Sequence, residues 1–277
     1  MTNKSIQVVV VLYGMRAEQS VALQTFMHYS KALVDGFHLC IYNNSTDITV
    51  DYPQAEVVNA SSNDGLAKAY NHALSRAEQH GCPWLLLLDQ DTELTEEYLV
   101  ALSRFVRSAD SEKHVAAVPR LLENGIQMSP TTYRAWRGVV WRQNPLRSTQ
   151  KSFAKGEVVT AFNSGALMNV TMLRLLNGFD EQYPLDMLDH RMFYRFHQKG
   201  LPVAILSVEL AHSLSENGTM GNERYQAYLM AHRRWAAQLG WRTLAMFRLR
   251  MLLRWIQLWG ETTAVEKRKS TFHIIFK

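Results

Sequence analysis

The sequence predicts an α/β fold, a mostly parallel sheet flanked by helices with a C-terminal helical extension. Three observations carry this. Apolar runs too short for amphipathic helices recur at Ile6–Leu12, Phe37–Tyr42 and Trp84–Asp89, as expected of strands buried on both faces. Between them lie segments with apolar residues at helical spacing. The chain has 277 residues, 47% of them hydrophobic, which suffices for a substantial core.

In chain order, Ile6–Leu12 is the first strand, a β-branched run. A helix is expected over Ala17–Leu33, closed by Gly36. Phe37–Tyr42 is the second strand and ends in the polar turn Asn43-Asn44-Ser45-Thr46-Asp47. Val57–Asn59 suggests a short third strand. Gly65 opens a helix that runs toward Gln79 and stops at Gly81; Trp84–Asp89 is the fourth strand. This alternation points to a parallel sheet of nucleotide-binding type.

Thr95–Val106 reads as a helix and Val115–Pro119 as a strand. Between Glu123 and Glu157 the pattern fades: six Lys/Arg, two tryptophans, two prolines and no acid. That composition suits a loop excursion with at most short strands, either an ordinary solvated loop or a flap over an anionic substrate. Order returns at Val158–Asn169, which contains Asn163-Ser164-Gly165. Thr171–Leu176 is a short helix, His190–Gln198 a helix after a second acidic region, and Val203–Leu206 a late strand. Helices are expected over Asn222–Leu239 and Trp241–Trp259, the second with Leu244, Phe247, Met251, Trp255 and Leu258 near one stripe. The domain division is 1–215 for the sheet domain and 216–277 for the basic, aromatic extension.

Two cysteines, Cys40 and Cys82, give no disulfide framework and no zinc-ligand spacing. The N-terminal residues lack signal-peptide architecture, so a cytoplasmic setting is the default. Charge is distributed unevenly. Trp241–Lys277 holds eight Lys/Arg against two Asp/Glu, whereas the rest of the chain holds 22 against 23. All the excess basicity is local, which argues for a local anionic partner and against nucleic-acid binding by the whole protein.

The fourth strand ends in Asp89-Gln90-Asp91. On an extended chain residues two apart point the same way, so the two carboxylates repel unless a cation lies between them. A divalent metal carrying nucleotide phosphates satisfies that geometry with oxygen ligands. The same residues also suit an acidic turn leading into a helix capped by Thr95.

Taken together, these segments resemble glycosyltransferase family 2, the inverting nucleotide-sugar transferases of GT-A, Rossmann-like fold, and within it the bacterial rhamnosyltransferase-like branch. The likeness runs from about Ile6 to Ser215. It is carried by the opening strand, the Asn43-Asn44-Ser45 turn, Asn63-x-Gly65…Asn71, Asp89-x-Asp91, Ser164-Gly165, and Phe179-Asp180-Glu181 followed by Asp186, Asp189, Arg195 and Gly200. The resemblance implies Mn²⁺ or Mg²⁺, with Asp91 as direct ligand, Asp89 facing the ribose or a metal-bound water, and His212 completing the metal or diphosphate site. His212 also suits a structural role.

The family's carboxylate–arginine–glycine spacing falls on Asp189, Arg195 and Gly200, which makes Asp189 the expected general base and Arg195 part of the donor site. Asp186 competes for the base role, and an N-cap of the following helix is the structural alternative for Asp189. Asn43 stands where the family usually has an acid addressing the nucleobase or ribose; an amide still donates and accepts hydrogen bonds. Gly65 would let backbone approach the nucleotide and Lys68 reach phosphate, unless Lys68 is simply on a solvated helix face.

The implied reaction is metal-dependent, inverting transfer of a sugar, rhamnose being one candidate, from a UDP- or dTDP-type donor to a glycan or polyprenyl-linked acceptor in surface polysaccharide synthesis. The tail's tryptophans and arginines suit peripheral attachment to the inner face of an anionic membrane, or a helix packed on the catalytic domain or in an oligomer interface. Two rivals stand beside this reading. A haloacid-dehalogenase-like phosphatase also uses D-x-D, but usually on the first strand and with a threonine where Glu93 stands. A non-catalytic sugar-nucleotide-binding module would bind donor without transfer.

Overall fold

The computed structural model describes residues 4–134, 144–146, 157–211, 220–260 and 264–276. β1 (Ile6–Leu12), β2 (Phe37–Asn43), β3 (Glu56–Asn59) and β4 (Trp84–Asp89) are mutually parallel, with β1 between β2 and β4. β5 (Ala116–Glu123) runs past the expected end at Pro119 and turns back into β6 (Ile126–Ser129). Among the described residues of the segment where the pattern fades, and at its end, the strands β7 (Thr131–Arg134), β8 (Asn144–Pro145) and β9 (Glu157–Thr160) are short and pair as a separate sheet in the order β8-β7-β9. β10 (Ala166–Asn169) and β11 (Val203–Ala211) complete the main sheet, ordered β11-β5-β10-β4-β1-β2-β3. β10 is antiparallel to both its neighbours. Its start therefore lies at the carboxyl edge of β4.

β4 forms for a simple reason. Leu85 to Leu88 are all fully buried, and each buried leucine contributes roughly 2 kcal/mol. Successive side chains face opposite sides of the sheet. Val8, Val10, Leu12, Leu86 and Leu88 pack with Leu23, Phe26, Leu99 and Leu102, from α1 (Val21–Tyr29) and α3 (Glu96–Arg107). The other face is covered by α2 (Gly65–Gln79), which contacts β1 and β4. By this alternation Asp89 belongs to the α2 side.

The expected helix over Ala17–Leu33 is shorter, because Ser20 interrupts it. Its backbone is extended and its Oγ accepts from Leu23 N at 3.2 Å, so it caps a helix that begins at Val21. Thr95 caps α3 as expected, accepting from Tyr98 N at 3.3 Å. α4 (Val170–Leu175) and α5 (Leu188–Gln198) follow, then α6 (Asn222–Gln238), α7 (Trp241–Gln257) and α8 (Val265–Phe276). α8 has no counterpart in the sequence reading. Its Val-Glu-Lys-Arg-Lys-Ser-Thr-Phe-His stretch mixes polarities without clear periodicity.

The described residues fall into two compact units. One holds 4–131, 145–146 and 159–211; the other holds 132–134, 144, 157–158, 220–260 and 264–276. The second has its own small core of Leu229, Ala236, Phe247, Met251, Ile274 and Ile275.

Candidate functional site

Asp89 ends β4 opposite Val11, at the edge where β1 and β2 also terminate. The turn that follows is pinned from several directions. The Gln90 carbonyl accepts from Ser20 Oγ at 2.9 Å and from Ala22 N at 3.3 Å, and Gln90 Oε1 accepts from Tyr13 N at 2.8 Å. Leu94 N donates to Thr25 Oγ1 at 3.1 Å. Tyr13, whose backbone meets this turn, is itself 59% exposed.

The antiparallel course of β10 brings Ser164-Gly165 to the same edge. Gly165 N donates to the Leu87 carbonyl at 2.8 Å, and its φ of +71° favours glycine. The Ser164 hydroxyl is paired with Thr92 and also hydrogen-bonds Asp89. From the α2 side the fully buried Tyr70 donates to Asp89 Oδ1 at 3.2 Å. Burial and the neighbouring Asp89 hold the Tyr70 phenol well above its ordinary pKa, so it remains a donor.

Burial raises the Asp89 pKa from 3.8 to about 7, and the charges of Asp91 and then Asp189 act in the same direction. The hydrogen bonds from Tyr70 and Ser164 oppose them. Asp189 is a hundred residues downstream of Asp89, yet both Asp89 and Tyr70 feel its charge. Tyr70, which donates to Asp89, also packs on Phe179 at the start of the second acidic region, with ring centroids 5.2 Å apart, and so brings the two acidic regions near one another.

Asp189 lies in the first turn of α5 but is not its N-cap. That position is Met187, with φ +65°, a conformation a bulky residue rarely adopts. Asp189 Oδ1 accepts from His190 N at 2.6 Å. The residues before it form a loop clamped by side chains. Asn71 of α2 donates to the Phe179 carbonyl at 3.0 Å and to Glu181 at 2.9 Å, and accepts from Phe179 N at 2.8 Å. Arg191 Nε holds Asp180 at 3.0 Å. Asp186 is half-buried in this loop.

Several expected donor contacts have other work. At Gly65 the near neighbour is Pro184. A Cβ there would lie 2.5 Å from the Pro184 carbonyl oxygen, which accepts from Leu66 N at 2.6 Å and Ala67 N at 3.3 Å. The close approach is by the chain's own loop. Asn43 is fully buried; its amide donates to the Ile48 carbonyl and to Asn59 at 2.6 and 2.8 Å and accepts from Ser45 N at 3.0 Å. It shapes the turn and has no hydrogen of its amide left for a base. Arg195 donates to the Gly178 carbonyl at 2.7 Å, anchoring the loop. Lys68 pairs with Asp64 at 2.8 Å across one helical turn and is itself exposed; that bond, then one from Tyr42 at 2.8 Å, lowers the Asp64 pKa. His212 lies outside the described residues.

Sequence reasoning missed Tyr70 and Thr92. Tyr70 looks like one more apolar residue on the buried stripe of α2, and only its contact with Asp89 reveals a polar task. Thr92 sits inside the acidic motif, but its partner is 72 positions away.

Asp89 and Asp91 offer hard oxygen donors whose mutual repulsion a divalent cation would relieve, so the residues fit Mn²⁺ or Mg²⁺. Among the described residues no group of three His, Cys, Asp or Glu could hold a metal alone. The remaining positions would fall to donor oxygens and water, which is how Mg²⁺ is usually held at phosphates.

Residues 39–176 match the family described as Glycosyl transferase family 2. The chain is 20% identical over 231 residues to the dTDP-rhamnosyl transferase RfbF of Shigella flexneri, covering 77% of this chain and 71% of that one. Among solved structures it is similar to S. aureus TarS 1-349, with a TM-score of 0.55 and 14% identity over 98% of this chain and 78% of that one. It is also similar to the mannosyltransferase PcManGT from Pyrobaculum calidifontis in complex with GDP-Man and Mn²⁺. There the TM-score is 0.52, with 12% identity over 98% of this chain and 84% of that one. These likenesses place the fold in the GT-A class. The family match includes Asp89, Asp91 and Ser164 but ends before Asp189.

Proposed function

Because the chain is a member of glycosyltransferase family 2, we propose that it transfers a sugar with inversion from a nucleoside diphosphate to an acceptor hydroxyl, assisted by a divalent cation. The relative named as a dTDP-rhamnosyl transferase favours dTDP-rhamnose as donor; UDP-sugars are the alternative. The acceptor is a glycan or lipid-linked hydroxyl of a growing surface polysaccharide, which places the enzyme peripherally at the inner face of the membrane. Family membership sets the phosphatase reading aside.

The observation that carries this reading is the approach of the second acidic region to Asp89 through Tyr70, which donates to Asp89 and packs on Phe179. Asp91 and Asp89 would hold the cation, with Asp91 the direct ligand and Asp89 also reaching ribose or bound water. When bound, the cation supplies stabilisation of the charge that develops on the departing diphosphate. Tyr70 and Ser164 keep the Asp89 carboxylate aimed by donating to it. Tyr13 offers an exposed face on which a planar base can stack.

Asp189 takes the proton from the acceptor hydroxyl. The acceptor oxygen then forms its bond to the anomeric carbon on the face opposite the leaving group, and the electron pair of the broken C–O bond leaves with the diphosphate. One displacement inverts the anomeric centre. Its helix-borne position and the clamped loop before it suit a base that must not move.

Calorimetric titration of dTDP- and UDP-sugars with Mn²⁺ or Mg²⁺, alongside a transfer assay, tests the assignment. Asp91→Ala should lose cation-dependent donor binding, and Asp189→Asn should keep binding and lose transfer. Equal loss of donor binding in both variants would remove the division of labour. Donor binding with neither transfer nor donor hydrolysis would favour a non-catalytic binding module.

A further inference from the structure

α7 is apolar on two opposite sides. Phe247 and Met251 enter the small core of the helical unit with residues of α6 and α8. A surface helix of this kind should show polar residues on its far side. Instead Leu249, Leu253 and Ile256 are 53%, 52% and 55% exposed. They are four and three residues apart, so they form one outward ridge about two turns long.

The charges that α7 itself carries have one sign. α7 carries Arg242, Arg248, Arg250 and Arg254 and no acid. Arg250 and Arg254, with Tyr225 and Tyr228, also line a groove of about 380 Å³ between α6 and α7. At the end of α7 lies a cluster of aromatic rings. Trp255 touches Trp259 and Phe272, and Phe272 touches Phe276, with ring centroids 5.7, 5.8 and 4.7 Å apart. The Arg268 guanidinium lies 4.8 Å over Trp259.

A contiguous apolar ridge in water is normally covered by something. The exposed Arg242 and Arg248, on a helix with no acid of its own, select an anionic occupant, and an apolar ridge with arginines and aromatic rings on the same helix suits a bilayer surface. Apolar side chains enter the boundary of headgroup and acyl chain, indole rings sit at headgroup level, and guanidinium groups meet lipid phosphates.

We propose that the outward face of α7, with the Trp259–Phe272–Phe276 edge, docks the protein on an anionic phospholipid surface. This rests on the peripheral position proposed above and assigns it a surface, but it does not depend on the chemistry at the carboxylates.

Co-sedimentation of the full chain with phosphatidylglycerol–phosphatidylcholine vesicles, and with vesicles of phosphatidylcholine alone, tests it. Wild type should pellet with the first and not the second, and high salt should weaken binding. Leu253→Asp should cut vesicle affinity by at least about tenfold, whereas Leu253→Phe should retain it. Arg248→Glu is the second probe, at an exposed position, and should weaken binding several-fold even if Leu253→Asp proves unfolded by circular dichroism. Asp91→Ala should pellet like wild type, which separates failure of this surface from failure of the catalytic reading. Wild type remaining in solution with anionic vesicles would overturn the proposal, as would Leu253→Asp and Arg248→Glu both folding and pelleting undiminished. So would a dimer in sedimentation velocity that Leu253→Asp dissociates, because the ridge would then belong to a second copy.

Discussion

The two acidic clusters of the catalytic unit are held in place by different means. Asp89 ends a central strand whose hydrogen-bonded register with β1 fixes its position, and Asp91 follows in a turn pinned to that edge from several directions. Asp189 follows a loop held by individual side chains: Asn71 and the Gly65–Pro184 approach from α2, Arg195 and Arg191 from α5. A sheet edge is a cooperative anchor, and no single side chain decides it. A clamped loop depends on each clamp. Cation and donor binding should therefore withstand damage that displaces the base.

The largest expected effect breaks the first cluster. Asp91→Ala should abolish cation-dependent donor binding and lower transfer by at least about a thousandfold, read by calorimetry and product formation. Asp189→Asn comes next, with transfer down by about 10²–10⁴ and donor affinity within about twofold of wild type. Gly65→Ala sharpens the comparison because it touches only the clamp. The new methyl group would meet the Pro184 carbonyl in a left-handed backbone, costing about 2–3 kcal/mol. A lower melting temperature and a fall in kcat that exceeds any loss of donor affinity are the expected readings. Equal losses of kcat and donor affinity would mean that the two clusters share one support.

A pH titration separates the clusters more gently. The folded-state pKa of Asp89 is raised from 3.8 to about 7, so the fold holds this proton longer than the unfolded chain. Its ionisation destabilises the cation-free protein as pH rises through that window. Cation affinity has the opposite course, strong above pH 7 and weakening as pH falls through about 7 and Asp89 takes up its proton. Isothermal titration of Mn²⁺ with nucleotide at several pH values checks this. Tyr70→Phe should have the smallest effect, about 1 kcal/mol in stability. It removes a hydrogen bond that favours the ionised carboxylate, so the midpoint of cation affinity should move to higher pH.

The same contrast separates what the sequence disclosed from what it concealed. β1 and β4 are legible to the residue, because a short run of Val or Leu ending in a polar cluster is a local signal. Thr95 as a cap is legible for the same reason. The purposes of Gly65, Asn43 and Arg195 were not. Each is spent on groups brought near by folding: the Pro184 carbonyl, 119 positions from Gly65; the Ile48 carbonyl and Asn59 Oδ1 around Asn43; and the Gly178 carbonyl, which accepts from Arg195. Residue type announces that such a side chain can bond, while only the fold says to whom. The antiparallel insertion of β10 was hidden likewise. Four residues of apolar strand carry no mark of direction, yet that direction delivers Ser164 to Asp89.

The carbonyl of Pro184, resting on the opening turn of α2, has one more consequence. Many nucleotide-binding proteins seat a pyrophosphate on the positive end of a helix and need little else to neutralise it. At α2 that berth is filled by the chain itself, so under the function proposed above the counter-charge would fall to a divalent cation. Turnover should then track the free concentration of divalent cation. A chelator should silence the enzyme, and adding the ion back should revive it.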